Sequence, residues 1–219
     1  MQLSEVIGQD VIVKTLEHAL LEGKISHAYL FAGESGVGKE TIALSLINHL
    51  LCKDRTACGH CPGCQKLARR NHPGFFVIDS DSSIKIDQMR ALKEKIQFAH
   101  EHYIIWLIKE AHKMTLQAAN SFLKMLEEPG QRIIFILLTD KLGQIIPTIR
   151  SRCQVINFPR LGDEAVREIL GSKVKLDSRP QGEVDLIIKM ARGSIGRAIE
   201  LWDSPILERR RWVIEQLIS

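Results

Sequence analysis

Two groups of residues in this sequence have the types and spacing to do chemistry. Four of the five cysteines, Cys52, Cys58, Cys61 and Cys64, fall within thirteen residues. The pattern Cys52-x5-Cys58-x2-Cys61-x2-Cys64 contains two overlapping C-x-x-C steps, which hold thiolates close enough for tetrahedral Zn²⁺ with bonds of ~2.3 Å. All four ligands come from the protein, so no coordination position is left open and the expected role of the zinc is structural. A secreted disulfide framework spreads its cysteines along the chain instead. Reduced, metal-free thiols are the alternative.

The second group is Gly33-Glu34-Ser35-Gly36-Val37-Gly38-Lys39-Glu40, between an apolar run and an apolar helix. That is the setting of the G-x-x-x-x-G-K-[ST] loop, whose backbone amides and lysine cradle nucleotide phosphates. Gly33, Gly36, Gly38 and Lys39 fit, but Glu40 stands where a Ser or Thr hydroxyl would ligate magnesium. Thr41 lies about 100° further round the helix and cannot take its place. The second magnesium ligand of such a site is an acidic residue at the end of another apolar strand. Here Ile104-Ile105-Trp106-Leu107-Ile108 runs into Lys109-Glu110, with lysine in that place and Glu110 where a glutamate could orient water. Both metal positions are replaced, so the chain is expected to be inactive as an ATPase on its own, with ATP or ADP binding left open. A tight strand–helix turn without any ligand is the plainer alternative.

Strands and helices must alternate to position these residues. His27–Ala32, Phe75–Ile78, Tyr103–Ile108 and Ile133–Leu138 read as buried strands, with Val155–Phe158 as a fifth candidate. Helical patterns cover residues 9–21, Ile42–Leu51, Gln88–Ala99 and Met114–Glu127, the last ending at Glu128-Pro129-Gly130. This alternation predicts an α/β fold, a parallel sheet wrapped by helices, with the cysteine module inserted. Beyond Pro159 the patterns are helical, over Asp163–Leu170, Glu183–Ala191 and Gly196–Trp202. Another helix is expected over Leu207–Ile218. The expected organisation is a nucleotide-binding-like domain over 1–160 with the zinc module at 52–64, a small all-helical domain over 161–203, and the start of a further helical domain over 204–219.

Composition narrows the class. With 219 residues, 45% hydrophobic, the chain can bury a full core, and disordered or fibrous chains are excluded. No apolar run approaches the ~20 residues of a bilayer span, and Met1-Gln2-Leu3-Ser4-Glu5 does not open a signal peptide; a cytoplasmic location without membrane contact is expected. A net charge of +4 permits nucleic acid as a partner without indicating it. Lys85, Arg90, Lys93 and Lys95 could meet phosphates, but Asp87 and Glu94 interrupt them, and a solvated mixed-charge face accounts for the pattern.

Several further stretches carry a family resemblance: Val6-Ile7-Gly8-Gln9, Ser26-His27-Ala28-Tyr29-Leu30-Phe31, Asn120-Ser121-Phe122-Leu123-Lys124-Met125-Leu126-Glu127-Glu128-Pro129 and Pro147-Thr148-Ile149-Arg150-Ser151-Arg152-Cys153. Together with the loop and the cysteines, they resemble the AAA+ clamp-loader family of bacterial DNA polymerase III over residues 5 to about 203. Glu40 and Lys109 favour its delta-prime members over the motor subunits, which resemble them but keep the magnesium ligands. The resemblance implies an AAA+ P-loop domain, a helical lid and a C-terminal collar. It also implies a hetero-pentamer with gamma/tau motor subunits and a delta subunit, which loads a sliding clamp onto primed DNA. Carried over onto this sequence, Arg152 resembles an arginine finger acting in trans on the adjacent ATPase subunit. Thr139 resembles the polar sensor residue ending the fourth strand, and Arg197 lies one residue from the usual lid arginine. Cys153 reads as a small buried hydrophobe. An ATP-hydrolysing motor subunit and an unrelated AAA+ adaptor are the other functions considered.

Overall fold

A computed structural model describes residues 2–79, 82–89 and 103–204. The chain divides into two compact units. One is built from the chain up to Gly33 together with Lys39–Phe158, the other from Glu34–Gly38 together with the chain from Pro159 onward. The helix expected beyond residue 89, with Arg90, Lys93, Glu94 and Lys95, lies outside the described residues, as does Leu207–Ile218.

The first unit holds five strands: β1 (Ala28–Ala32), β2 (Phe75–Ile78), β3 (Ile104–Ile108), β4 (Ile133–Thr139) and β5 (Gln154–Asn157). Their order is β2-β3-β4-β1-β5 and every pairing is parallel. The fifth strand, expected at Val155–Phe158, starts one residue earlier. Every residue of β1, β3 and β4 is buried, the pattern of a parallel sheet covered on both faces. The helices are α1 (Asp10–Leu21), α2 (Lys39–Leu51), α3 (Pro62–Ala68), α4 (Leu116–Glu127) and the short α5 (Pro147–Arg150).

Local chemistry sets the helix bounds. Thr115 caps α4, its hydroxyl accepting from the Ala118 amide at 3.2 Å, and Pro129 follows its end. Phe122 and Met125 of α4 join Leu30, Trp106, Phe135 and Leu137 from one sheet face in a single cluster. The alternate residues Tyr29, Phe31, Ile105 and Ile136 are equally buried on the other face. Phe122 meets Phe135 edge-on, with ring centroids 5.0 Å apart and planes at 87°, the favoured geometry for an aromatic pair.

The second unit has its own apolar core. Helices α6 (Asp163–Gly171), α7 (Gln181–Ala191) and α8 (Ile195–Asp203) bury Val166, Leu170, Val184, Ile187, Ala198 and Trp202 against one another. Arg179 stacks over the Trp202 ring at 5.1 Å and donates to its carbonyl at 2.9 Å. Among the described residues, no helix is long and apolar enough to cross a membrane.

Phe122→Ala removes the ring at the centre of the first unit and should cost about 3–5 kcal/mol. Leu116→Ala, at an exposed position on the same helix, should change stability by less than about 0.5 kcal/mol. Urea denaturation of the two variants checks the contrast.

Candidate functional site

The cysteine module begins where α2 ends. Cys52 follows Leu51, the chain turns through Arg55 and Ala57 with φ of 53° at each, and α3 starts after Cys61 with Pro62 in its first turn. Only turns are evident here in the sequence; α3 is an addition from the structure. Cys61 caps α3 with its sulfur, which accepts from the Cys64 amide at 3.4 Å, as Cys58 Sγ accepts from the Cys61 amide at 3.4 Å.

All four sulfurs lie within 4.8 Å of one another, and the thiols are unoxidised. Cys52 Sγ is 3.6 Å from Cys58 Sγ and 3.9 Å from Cys61 Sγ. The edge of a tetrahedron with 2.3 Å metal–sulfur bonds is about 3.8 Å, so these sulfurs could hold a metal ion with little movement. Their electrostatics favour one. Burial of Cys52 raises its thiol pKa, but amides of Cys58, Thr56 and Asp54 outweigh burial and bring it to about 5. Amides of Cys64 and Lys53 lower Cys61. Burial and the sulfurs of Cys61 and Cys52 push Cys64 up to about 12. Four thiols this close cannot all ionise unaided, and a divalent cation removes the conflict.

The phosphate-type loop leaves the end of β1. Gly33 donates to the Thr139 carbonyl at 3.1 Å, so the loop's first residue is fixed to the end of β4. A Cβ at Gly33 would lie 2.7 Å from the Phe158 carbonyl oxygen, so no larger residue fits without a shift. Lys39 Nζ donates to the Gly33 carbonyl at 2.7 Å. Thr139 is buried, and its hydroxyl is 3.2 Å from His112 Nδ1 and accepts from the Lys141 amide at 3.0 Å.

Within the second unit, Gly36 has φ +77°, and a Cβ there would overlap the Ser194 hydroxyl. That hydroxyl donates to the Ser35 carbonyl at 2.8 Å, while the Ile195 amide donates to the Gly36 carbonyl at 2.9 Å. Glu34 pairs with Arg160, whose Nε donates at 2.9 Å. The bond from Arg160 holds the Glu34 carboxyl below its usual range, with Arg192 and Arg197 adding charge. The Arg197 amide itself donates to Ser194 Oγ, the cap of α8.

 Glu40 and Lys109, 69 positions apart in sequence, meet in space. Lys109 Nζ lies 2.8 Å from Glu40 Oε1 and 3.2 Å from Asp79 Oδ2, just past the end of β2. Burial lowers the Lys109 pKa, but the bonds to Glu40 and Asp79 outweigh it and hold the ammonium above the usual lysine range. Glu40, where the loop pattern expects a hydroxyl, is thus bonded to Lys109, where that pattern expects a carboxylate. Asp79 has no signal in the sequence, because only the sheet order brings the end of β2 beside β3. Glu110 takes a left-handed conformation at φ 46°, and its carboxylate pairs with Lys113 at 2.6 Å.

Arg152 lies apart from these groups in sequence, just beyond α5. Its Nη1 donates to the Thr148 carbonyl at 3.1 Å and its Nη2 to Glu127 Oε1 at 2.8 Å. The neighbouring Cys153 packs against the core, where burial pushes its thiol up to about 12.

A family model described as "DNA polymerase III, delta subunit" matches residues 8–162. The chain belongs to this family. The Bacillus subtilis DNA polymerase III subunit tau is 33% identical over 94% of this chain and 38% of its own length. The B. subtilis subunit delta' is 32% identical over 88% of this chain and 59% of its own length. The chain thus spans less than two thirds of the length of these relatives. Among solved structures, a Thermotoga maritima gamma subunit-related protein superposes with a TM-score of 0.61 at 22% identity, covering 85% of this chain and 57% of that one. The T. maritima RuvB Holliday junction branch migration motor gives 0.62 at 21%, covering 91% and 62%. These two likenesses concern the fold, which is of the AAA+ type.

Lys109→Asp would gather three carboxylates and should destabilise the protein by about 1–3 kcal/mol. Glu40→Thr leaves Asp79 as a partner and should cost no more than about 1 kcal/mol, because the pair is partly exposed. The double variant should recover part of the Lys109→Asp loss. The raised Lys109 pKa makes this contribution complete at neutral pH and lost only as pH rises through the folded-state value, above 10.5. Denaturation midpoints of the three variants check this, and strict additivity would show that the groups are not coupled.

Proposed function

We propose that this chain is a non-hydrolysing subunit of the DNA polymerase III clamp-loader complex, acting with gamma/tau motor subunits and a delta subunit while a sliding clamp is loaded onto primed DNA. The observation that carries this reading is the Lys109–Glu40 pair. Magnesium neutralises charge on a transferring phosphoryl group, and an ammonium already bonded to the two carboxylates leaves no ligand set for it. Gly33, Gly36, Gly38, Lys39 and Thr139 are then the remnant of a nucleotide site. ATP or ADP bound through them would be held without magnesium.

Arg152 is the residue this subunit gives to the complex. An arginine supplied in trans stabilises developing charge on a neighbour's γ-phosphate, and lysine cannot copy its planar fork. Cys52, Cys58, Cys61 and Cys64 hold a structural zinc, supported by the sulfur spacings and by a donor set of four protein thiols. A motor-subunit role is the second reading, favoured by the gamma and tau names among the relatives. Magnesium-dependent ATP turnover by the isolated chain would support it over the first.

Metal analysis of purified protein should find about one zinc per chain, and Cys64→Ser should lower both zinc content and thermal stability. A content below roughly a tenth of that would remove the zinc assignment. In a reconstituted complex, Arg152→Ala and Arg152→Lys should leave assembly and zinc intact, lower total DNA-stimulated ATPase by a fraction and lower clamp loading further. Parental activity in both assays would reduce Arg152 to a surface charge.

A further inference from the structure

We infer that Glu127 is a positioning residue for Arg152. The inference rests on the proposed in-trans role of that arginine. Glu127 is the last residue of α4 and Arg152 follows α5, 25 positions later, yet their side chains bond at 2.8 Å. A guanidinium offers five donors on a plane, at the end of a long flexible chain. Here two anchors grip its tip from different sides: Glu127 Oε1 holds Nη2, and the Thr148 carbonyl holds Nη1. Together they fix the plane of the fork, and neither bond uses Nε–H.

The backbone beneath is equally constrained. Ile149 is buried and Cys153 packs against the same core cluster, so the segment carrying Arg152 is clamped on both sides. Glu127 belongs to the Leu126-Glu127-Glu128-Pro129 stretch, where Leu126 is buried and Pro129 ends the helix. That stretch therefore sets the carboxylate at a fixed height beside α5. The pair is exposed, with side-chain accessibilities of 37% for Arg152 and 50% for Glu127. It is weak enough to exchange a carboxylate oxygen for a phosphate oxygen, and strong enough to bias the arginine rotamer beforehand.

The test uses the reconstituted complex with full-length subunits carrying Arg152→Ala, Glu127→Ala, Glu127→Gln or Glu127→Ala with Arg152→Ala. Clamp-loading rate and the kcat and KM of DNA-stimulated ATPase are read in each, alongside assembly and zinc content. Glu127→Ala should slow clamp loading by about two- to fivefold, the range of an exposed ion pair, with KM for ATP unchanged. Glu127→Gln keeps an acceptor oxygen and should fall between Glu127→Ala and the parent. The double variant should be no slower than Arg152→Ala alone, because Glu127 acts only through the arginine. A double variant slower than Arg152→Ala, or a Glu127→Ala complex as fast as the parent or faster, overturns the inference. An Arg152→Ala complex with parental activity overturns the role of Arg152 and this inference together, and so separates the two failures.

Discussion

A parallel sheet buried on both faces confines polar chemistry to its strand ends. In β1, β3 and β4 every side chain is taken up by the core, so charged groups gather where the strands stop. Gly33 follows β1, Asp79 follows β2, Lys109 follows β3, and Thr139 is the last residue of β4. The pairing β2-β3-β4-β1 then decides which of these can touch. The bonds from the Gly33 amide to Thr139 and from Lys109 to Glu40 and Asp79 follow from it.

The Lys109 contacts change how the two substitutions are understood. Glu40 stands where the nucleotide-loop pattern has a hydroxyl, and Lys109 where it has a carboxylate. Together they form an ion pair that satisfies both side chains without metal. Each side chain is a partner of the other, so the two positions are physically coupled. Asp79 adds a second carboxylate to the same ammonium, and the lysine is correspondingly held in its charged form.

The cysteine module is governed by a different constraint. Its 13 residues bury almost no hydrocarbon of their own: the local cluster consists of the cysteines themselves. Such a segment needs a cross-link in place of a core. Amide-to-sulfur bonds already orient Cys58 and Cys61, and the unequal thiol acidities follow from those bonds, from burial and from the closeness of the sulfurs.

The sequence by itself determined the element types, the cysteine spacing, and the presence of Glu40 and Lys109 at the two positions where a nucleotide loop carries magnesium ligands. Apolar periodicity, glycine and proline positions and C-x-x-C steps are local signals, and they placed β2 at Phe75–Ile78 and the helical patterns of the second unit close to their observed bounds. Helix α3 escaped because it is short and opens on the turn formers Pro62 and Gly63 and the candidate ligand Cys64, and its start depends on a sulfur cap rather than a Ser or Asp. Only the tertiary structure decided which distant residues become partners. Strand order brought Asp79 to Lys109, and the packing of α4 beside α5 brought Glu127 to Arg152. No local periodicity encodes either meeting, because each is set by how separate elements bury their apolar faces against one shared core.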